Sequence, residues 1–181
     1  MLIIVSGYKS VGKTTIGKNI AKACGGIFIN GPETFEPLIA NILEEKGLTG
    51  HSFQNYVERS LAIEENMNYM RQLIADNIAL DMNVVVELSV EYSDIHLAEK
   101  GAFPIHYVEV TLPLALEKAQ LMAHAPQAFQ QIEDWDTYVA TRFPVYADGE
   151  LFERDVVQTF ANEEPLTTQR LVHFIEKLQQ K

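Results

Sequence analysis

The stretch LIIVSGYKSVGKTT, residues 2–15, carries the strongest structural signal in the sequence. It begins with four consecutive aliphatic residues, Leu2 to Val5, a pattern typical of a buried strand in a parallel sheet. Gly7 and Gly12 follow, and after Gly12 the apolar residues recur at helical spacing, with lysines between them. The stretch therefore predicts a strand, a glycine-containing loop and a helix in direct succession.

The loop matches the pattern G-x-x-x-x-G-K-[ST], in which each residue type has a physical task. Glycines allow backbone angles at which successive N–H groups point inward, and the helix that follows presents its positive end to the same point. These features bind the phosphates of a nucleotide. Lys13 is expected to contact the β- and γ-phosphates, and the Thr14 hydroxyl is expected to ligate Mg²⁺. The predicted residues of this site, which would bind ATP with Mg²⁺, are Gly7, Tyr8, Lys9, Ser10, Val11, Gly12, Lys13, Thr14 and Thr15.

The rest of the chain predicts an alternation of strands and helices. Further strands are expected at about 27–29, 83–88, 106–110 and 155–160, and helices at about 14–23, 35–45, 52–80, 93–101, 113–122 and 165–178. We interpret Gly31-Pro32 as a turn between the second strand and the next helix. The alternation predicts an α/β three-layer fold with a mainly parallel five-stranded sheet, in one domain over residues 1–181. Segments 33–80 and 124–150 are predicted inserts that cover the carboxyl ends of the strands.

Composition limits the classes of partner. The 181 residues carry a net charge of −11, which opposes binding to the phosphate backbone of a nucleic acid. Cys24 is the single cysteine, so no intrachain disulfide is expected. No apolar run approaches the ~20 residues of a bilayer-spanning helix, and no basic leader region precedes Leu2. We expect a cytoplasmic protein with no membrane partner and no nucleic-acid partner.

The chain resembles the P-loop kinases of small molecules, in particular the nucleoside monophosphate kinase group. The similarity extends to bacteriophage deoxynucleoside monophosphate kinases and covers most of the predicted sheet. The residues that carry it are Ile4-Val5-Ser6-Gly7, Lys9, Gly12-Lys13, Gly31-Pro32, the segment 84–101, Pro113 and the final strand and helix at 156–178. The resemblance implies phosphoryl transfer from ATP to a (deoxy)nucleoside monophosphate.

The first helix is also similar to that of shikimate and gluconate kinases, through residues 12–18 and Ile20-Ala21. Those enzymes usually carry an aspartate just after the second strand. This chain has Asn30 and Gly31 in that region, and its first acid there is Glu33. The departure favours a nucleotide acceptor over a shikimate-like one.

The resemblance also assigns a role to an acidic residue. In P-loop kinases, an acid at a strand end near the loop holds a magnesium-bound water or takes the acceptor's proton. Glu87 ends the third predicted strand and is the candidate for both roles, with Glu91 and Asp94 as nearby alternatives. Asp94 also suits a helix start, and Glu87 could instead be a strand-end carboxylate that faces solvent.

Kinases of this group usually bring several arginines over the transferred phosphoryl group, and this chain has few. Arg142 lies in a predicted lid helix over residues 136–142 and is the candidate catalytic arginine. Tyr138 lies four residues before it and shares its helix face. Arg142 could instead form only a surface ion pair with Asp136 or a neighbouring acid. With so few lid arginines, Lys9 and Arg154 could share the work of stabilising the transferred group.

Two further arginines, Arg59 and Arg71, fall in the insert at 33–80, which covers the acceptor in the family that the chain resembles. They are the candidates for binding an acceptor phosphate, although each could equally be a surface residue. If this arginine pair does not form, a kinase of a non-nucleotide metabolite is favoured. A non-catalytic nucleotide-binding regulatory module is favoured if Glu87 points away from the loop. No base-reading motif distinguishes ATP from GTP, and the acceptor and the oligomeric state stay open at this level.

Overall fold

The computed structural model of the chain describes residues 1–48, 53–88, 103–141 and 157–180. Strands and helices alternate along most of its length. The strands are β1 (Leu2–Ser6), β2 (Ile27–Asn30), β3 (Val84–Glu87), β4 (Ile105–Thr111) and β5 (Val157–Ala161). The helices are α1 (Lys13–Ala23), α2 (Gly31–Glu45), α3 (Phe53–Ala79), α4 (Leu114–His124), α5 (Pro126–Gln130), α6 (Trp135–Thr141) and α7 (Thr168–Gln179).

The strands of the described residues form one sheet in the order β2-β3-β1-β4-β5, and every neighbouring pair is parallel. β1 lies in the middle and is buried along its whole length, which explains its continuous run of aliphatic residues. Val5 pairs with Glu87 of β3 on one side and with Val108 of β4 on the other. The loop that follows β1 therefore starts beside the carboxyl end of β3.

Hydrophobic side chains fill a core on each face of the sheet, because successive residues of a strand point to opposite faces. Leu2 and Ile4 of β1 pack with Met70 and Ile74 of α3. On the other face, Ile3 and Val5 pack with residues of α1 and α7, namely Ile16, Ile20, Leu171, Ile175 and Leu178. Helices thus cover both faces of the sheet, which gives three layers.

The predicted α/β fold with a five-stranded parallel sheet is confirmed. β5 begins at Val157 in the structure, and residues 155–156 of its prediction lie outside the described part. The short helix predicted at 93–101 also lies outside it. The division into a core and two inserts, at 33–80 and 124–150, stays a prediction.

The interpretation of Gly31-Pro32 as a turn is wrong, because both residues belong to the first turn of α2. The side chain of Asn30 accepts a hydrogen bond from the backbone N–H of Glu33 at 3.2 Å and so caps the helix. Proline fits the first turn, where a backbone N–H has no helical acceptor. A Cβ on Gly31 would lie 2.7 Å from the carbonyl oxygen of Glu87, so the helix starts in direct contact with the end of β3.

The chain after α4 is more regular than its prolines indicate. Two short helices, α5 and α6, occupy most of residues 126–141. The first of them accepts Pro126 at its N-terminal position. Within the four described ranges, no helix is both long and apolar enough to cross a membrane.

Candidate functional site

The loop between β1 and α1 has a backbone that requires glycine at two positions. Gly7 has φ +139° and Gly12 has φ +94°, values that residues with a side chain rarely adopt. A Cβ on Gly7 would also lie 2.5 Å from the carbonyl oxygen of Val110, so the loop passes directly against β4. Ser10 has φ +66°, a left-handed conformation that costs about 1–2 kcal/mol for a residue other than glycine. The fold therefore holds the loop in one tightly specified conformation.

Lys13, the first residue of α1, folds back over this loop. Its Nζ donates a hydrogen bond to the carbonyl oxygen of Tyr8 at 2.8 Å. Burial lowers the pKa of Lys13, while the charge of Glu87 acts in the opposite direction and the charge of Lys9 adds to the lowering. The loop thus holds a partly desolvated cation, and a charge in such an environment attracts an anion more strongly than one in bulk water.

Glu87 lies at the end of β3, buried to 5% exposure, and faces the loop rather than solvent. Burial raises the pKa of Glu87, while the nearby hydroxyl of Thr14 and the charge of Lys13 act in the opposite direction. The Oε2 atom of Glu87 is buried and has no hydrogen-bond partner among the described residues. A buried carboxylate oxygen without a hydrogen-bond partner costs stability.

These residues line one cleft of about 360 Å³ at the carboxyl ends of the strands. The loop, the start of α1, the end of β3 and one face of α4 form its walls. The lining residues are Lys9, Ser10, Gly12, Lys13, Thr14, Thr15, Glu87, Gln120 and His124. The cleft contains most of the predicted nucleotide-binding residues together with Glu87, the predicted acid.

Gln120 and His124 of the cleft were not predicted from the sequence. They lie four residues apart on α4 and therefore share one helix face, a spacing that is visible in the sequence. The sequence does not show, however, which face of α4 lies toward the loop. Asn162, after β5, was also missed. Its side chain donates a hydrogen bond to the loop carbonyl of Val11 at 2.9 Å, across 151 residues of sequence.

The cleft residues fit a divalent metal ion. Mg²⁺ prefers oxygen ligands and usually takes one or two from the protein, keeping waters and phosphate oxygens for its other positions. The Thr14 hydroxyl and the Glu87 carboxylate are neighbouring oxygen atoms that could ligate such an ion. The Oε2 atom of Glu87 forms no hydrogen bond among the described residues. The two predicted metal-binding residues are therefore close together, although they belong to different elements of the fold.

An aromatic cluster joins α6 to the same loop. The rings of Tyr8 and Tyr138 are 5.9 Å apart, and those of Tyr138 and Trp135 are 5.3 Å apart, both in edge-on contact. The hydroxyl of Tyr138 donates a hydrogen bond to Glu117 on α4 at 3.0 Å. Helix α6, which ends just before Arg142, is thereby packed next to the loop.

Among the described residues, no arginine lines this cleft. Arg71 lies on α3, where its guanidinium donates hydrogen bonds to Glu64 at 2.9 Å and to Asn68 at 2.5 Å. It does not line the cleft. The side chain of Arg59 lies outside the described part of the chain, as do the alternative acids and the remaining arginines, namely Glu91, Asp94, Arg142 and Arg154.

No protein-family model matches the chain, and no curated protein matches its sequence. Solved structures match the whole fold. A sugar kinase from Janibacter has a TM-score of 0.59 at 16% identity, covering 99% of this chain and 94% of that one.

Two other solved structures are similar to the same extent. Thymidylate kinase from Candida albicans has a TM-score of 0.59 at 13% identity, covering 99% of this chain and 91% of its own. Shikimate kinase from Bacteroides thetaiotaomicron has a TM-score of 0.59 at 14% identity, covering 100% and 99%. At these identities the likeness shows the fold, which this chain shares with kinases of nucleotides and of small metabolites.

Proposed function

We propose that the protein is an ATP- and Mg²⁺-dependent kinase that transfers the terminal phosphoryl group to a small acceptor, a (deoxy)nucleoside monophosphate. The observation that carries this proposal is the buried carboxylate of Glu87. It lies beside Thr14 and Lys13 in the cleft and has one oxygen that the described residues leave unpaired. A glycine turn that merely joins a strand to a helix has no need for a buried acid at this position.

Each group of the cleft has a task in this reaction. The loop N–H groups and the positive end of α1 bind the phosphates of ATP, and Lys13 stabilises the negative charge on the transferred group. Thr14 and Glu87 would hold Mg²⁺, which would neutralise part of the phosphate charge. The bond between the γ-phosphorus and the β–γ bridging oxygen breaks, ADP leaves, and an acceptor oxygen forms the new bond to phosphorus. These groups act mainly by charge and position, because phosphoryl transfer requires little covalent participation by the protein.

The acceptor class rests on the similarity to nucleoside monophosphate kinases and to their bacteriophage relatives. Helix α2 begins in contact with the end of β3, and Glu87 at that end lines the cleft. The segment that follows β2 therefore starts at the same edge of the sheet as the cleft. In this proposal Arg59 and Arg71 bind the acceptor phosphate and Arg142 covers the transferred group. Arg71 must then exchange its bonds to Glu64 and Asn68 for bonds to the acceptor.

One observation favours a second candidate, a kinase of a non-phosphorylated metabolite. Arg71 forms an ion pair with Glu64 within α3 and does not line the cleft. An acceptor without a phosphate needs no such arginine. This candidate uses the same loop and the same changes in phosphorus–oxygen bonds, with a hydroxyl oxygen as the acceptor. The O–H bond of that hydroxyl also breaks, and Glu87 would take its proton.

The deciding experiment is an assay of ADP formation from ATP and Mg²⁺ with a panel of acceptors. The panel contains ribo- and deoxynucleoside monophosphates, shikimate, gluconate and simple sugars, and Lys13→Ala serves as the inactive control. ADP formation that depends on one monophosphate supports the proposal and names the substrate. Dependence on a sugar or an organic acid selects the second candidate. Slow hydrolysis that no acceptor stimulates contradicts both and indicates a nucleotide-binding module.

A further inference from the structure

Asn162 connects the C-terminal part of the fold to the loop after β1. It follows the last residue of β5, and its backbone N–H donates a hydrogen bond to the carbonyl oxygen of Thr111 at 2.8 Å, which continues the pairing of β4 and β5. Its side-chain Nδ2 donates to the carbonyl oxygen of Val11 at 2.9 Å in a partly buried position. The sheet therefore fixes Asn162, and Asn162 in turn contacts the loop.

The hydrogen bond to Val11 determines the orientation of a whole peptide unit. A peptide is planar and trans, so the carbonyl of Val11 and the N–H of Gly12 point in opposite directions. Because the carbonyl points to Asn162, the N–H of Gly12 points away from it. Gly12 lines the cleft and Asn162 does not.

We propose that Asn162 is a positioning residue for polyphosphate binding: it holds the Val11–Gly12 peptide so that the Gly12 N–H faces the cleft. This inference rests on the proposed function, because it assumes that the cleft receives the phosphates of a nucleotide. Asn162 does not touch the ligand in this scheme. It acts through the loop backbone, whose N–H groups bind anions when they point to a common centre.

The conformation of Gly12 explains why such a restraint is needed. Glycine occupies positive and negative φ with similar ease, so a peptide next to glycine can rotate at little cost. Gly12 has φ +94°. A Cβ at this position would lie 2.6 Å from Nδ2 of Asn162, so the two residues are in close contact. The amide of Asn162 therefore selects one orientation of a peptide that glycine alone leaves free to rotate.

The test compares Asn162→Ala with Asn83→Ala, a control of the same kind. Nδ2 of Asn83 donates to the carbonyl oxygen of Cys24 at 2.7 Å, also in a partly buried position and across 59 residues. That bond joins the start of β3 to the end of α1, away from the cleft. Asn162→Leu is a second variant, since leucine fills a similar volume and cannot donate a hydrogen bond.

The first measurement is calorimetric binding of pyrophosphate and of ATP with Mg²⁺. We expect both Asn162 variants to bind about five- to tenfold more weakly than the natural protein, the effect of one lost hydrogen bond. The KM for ATP should rise by a similar factor while kcat at saturating ATP changes little. Asn83→Ala should retain the natural affinity, even where its melting temperature falls as far as that of Asn162→Ala.

The second measurement is the NMR signal of the Gly12 amide during titration with pyrophosphate. It should shift strongly in the natural protein and in Asn83→Ala, and little in Asn162→Ala. Natural affinity in both Asn162 variants overturns the inference and leaves the proposed function standing. An equal loss in Asn83→Ala also overturns it, because the effect then follows stability alone. Absence of polyphosphate binding in the natural protein overturns the proposed function and the inference together.

Discussion

Lys13 and Glu87 are opposite charges, both shielded from water, beside an open cleft. Their pKa values are displaced in opposite directions for the same reason, since burial disfavours the charged form of each. At each residue the effect of burial exceeds the opposing effect of its neighbours. Groups that are costly to stability and face a cleft are typical of sites that act on a ligand.

Replacement of Lys13 tests the cation of the loop. Lys13→Ala should lower kcat/KM by on the order of 10³-fold or more, because it removes the positive charge from the transferred phosphoryl group. The fold should persist, since the aliphatic contacts of α1 are elsewhere. Steady-state kinetics and circular dichroism give the two readouts, with Lys22→Ala, an exposed lysine of the same helix, as the control. Full activity in Lys13→Ala would contradict the proposed mechanism.

Glu87→Gln should separate stability from activity. The raised pKa of Glu87 means that the folded protein binds its proton more tightly than the unfolded chain does. The stability linked to that proton is therefore present below the ordinary glutamate pKa of about 4.3 and is lost as pH rises through the raised pKa. Glutamine avoids this loss, so the variant should be the more stable protein at pH 7 and no more stable than natural near pH 4.

Melting temperatures between pH 4 and pH 8, in metal-free buffer, provide the measurement for Glu87→Gln. The same substitution at the exposed Glu45 is the control, because it removes a carboxylate that lies at the surface. Turnover with Mg²⁺ should fall by about 10²-fold or more, because an amide is a weaker metal ligand and no base. A variant that is less stable at pH 7 and fully active would show that Glu87 is a structural residue.

At the scale of elements, two adjacent glycines, Gly25 and Gly26, connect α1 to β2. Only Gly26 lacks space for a side chain. A Cβ on Gly26 would lie 2.3 Å from the carbonyl oxygen of Asn83, a backbone atom that also accepts the N–H of Ile27. Gly25 has φ +65° but meets nothing within 4 Å. A side chain at Gly25 would therefore cause backbone strain alone, whereas a side chain at Gly26 would overlap neighbouring atoms.

Gly25→Ala should cost about 1 kcal/mol of unfolding free energy, the penalty of a left-handed residue with a side chain. Gly26→Ala should cost more, about 2–3 kcal/mol, because β2 must move away from β3 to admit the methyl group. Urea unfolding of the two variants gives both values. Equal costs at the two positions would show that the contact of Gly26 with Asn83 relaxes easily.

The second prediction at this scale concerns the hydrogen bond between Tyr138 of α6 and Glu117 of α4. Tyr138→Phe removes the hydroxyl that donates to the buried Glu117 and keeps a ring for the contacts with Tyr8 and Trp135. We expect a local cost of about 1–2 kcal/mol, visible as faster amide hydrogen exchange in α6 with little change in β1. Tyr69→Phe, at an exposed tyrosine of α3, is the matched control. Unchanged exchange in α6 would mean that its ring contacts suffice.

For the whole molecule, a net charge of −11 opposes the approach of an anionic ligand. Binding must then depend on local groups, namely the loop backbone, Lys9, Lys13 and the metal ion. ATP with Mg²⁺ at 100 times its Kd should raise the melting temperature by about 5–10 °C. The shift should shrink when EDTA removes Mg²⁺ and should nearly vanish in Lys13→Ala. A thermal scan with ATP, GTP and ADP checks this, and no shift with any of them contradicts nucleotide binding.

Several features could be predicted because they depend on residues close together in the sequence. The aliphatic run of β1, the two glycines and the lysine of the loop, and the periodicity of α1 are local patterns with local causes. The alternation of strands and helices then implies a parallel sheet, because parallel neighbours need a crossover between them. Glu87 could be proposed as a site residue since it ends an apolar strand and parallel strands end at one edge of the sheet.

Other features were decided only by the tertiary structure. The strand order places β3 next to β1, and this pairing, rather than any local pattern, brings Glu87 to Thr14. The packing of α4 selects Gln120 and His124 as its cleft-facing side chains. The start of α2 at Gly31, where the sequence indicated a turn, follows from the capping side chain of Asn30 and from close contact with the end of β3.

The sequence by itself thus determined the kind of fold, the loop and the chemistry that its residue types allow. The tertiary structure alone decided which distant residues complete the loop, such as Asn162, which reaches Val11 across 151 residues. The physical reason is that strand and helix patterns arise from the backbone and from neighbouring side chains. A contact between distant residues forms only when the packing of the whole sheet offsets the entropy lost in bringing them together.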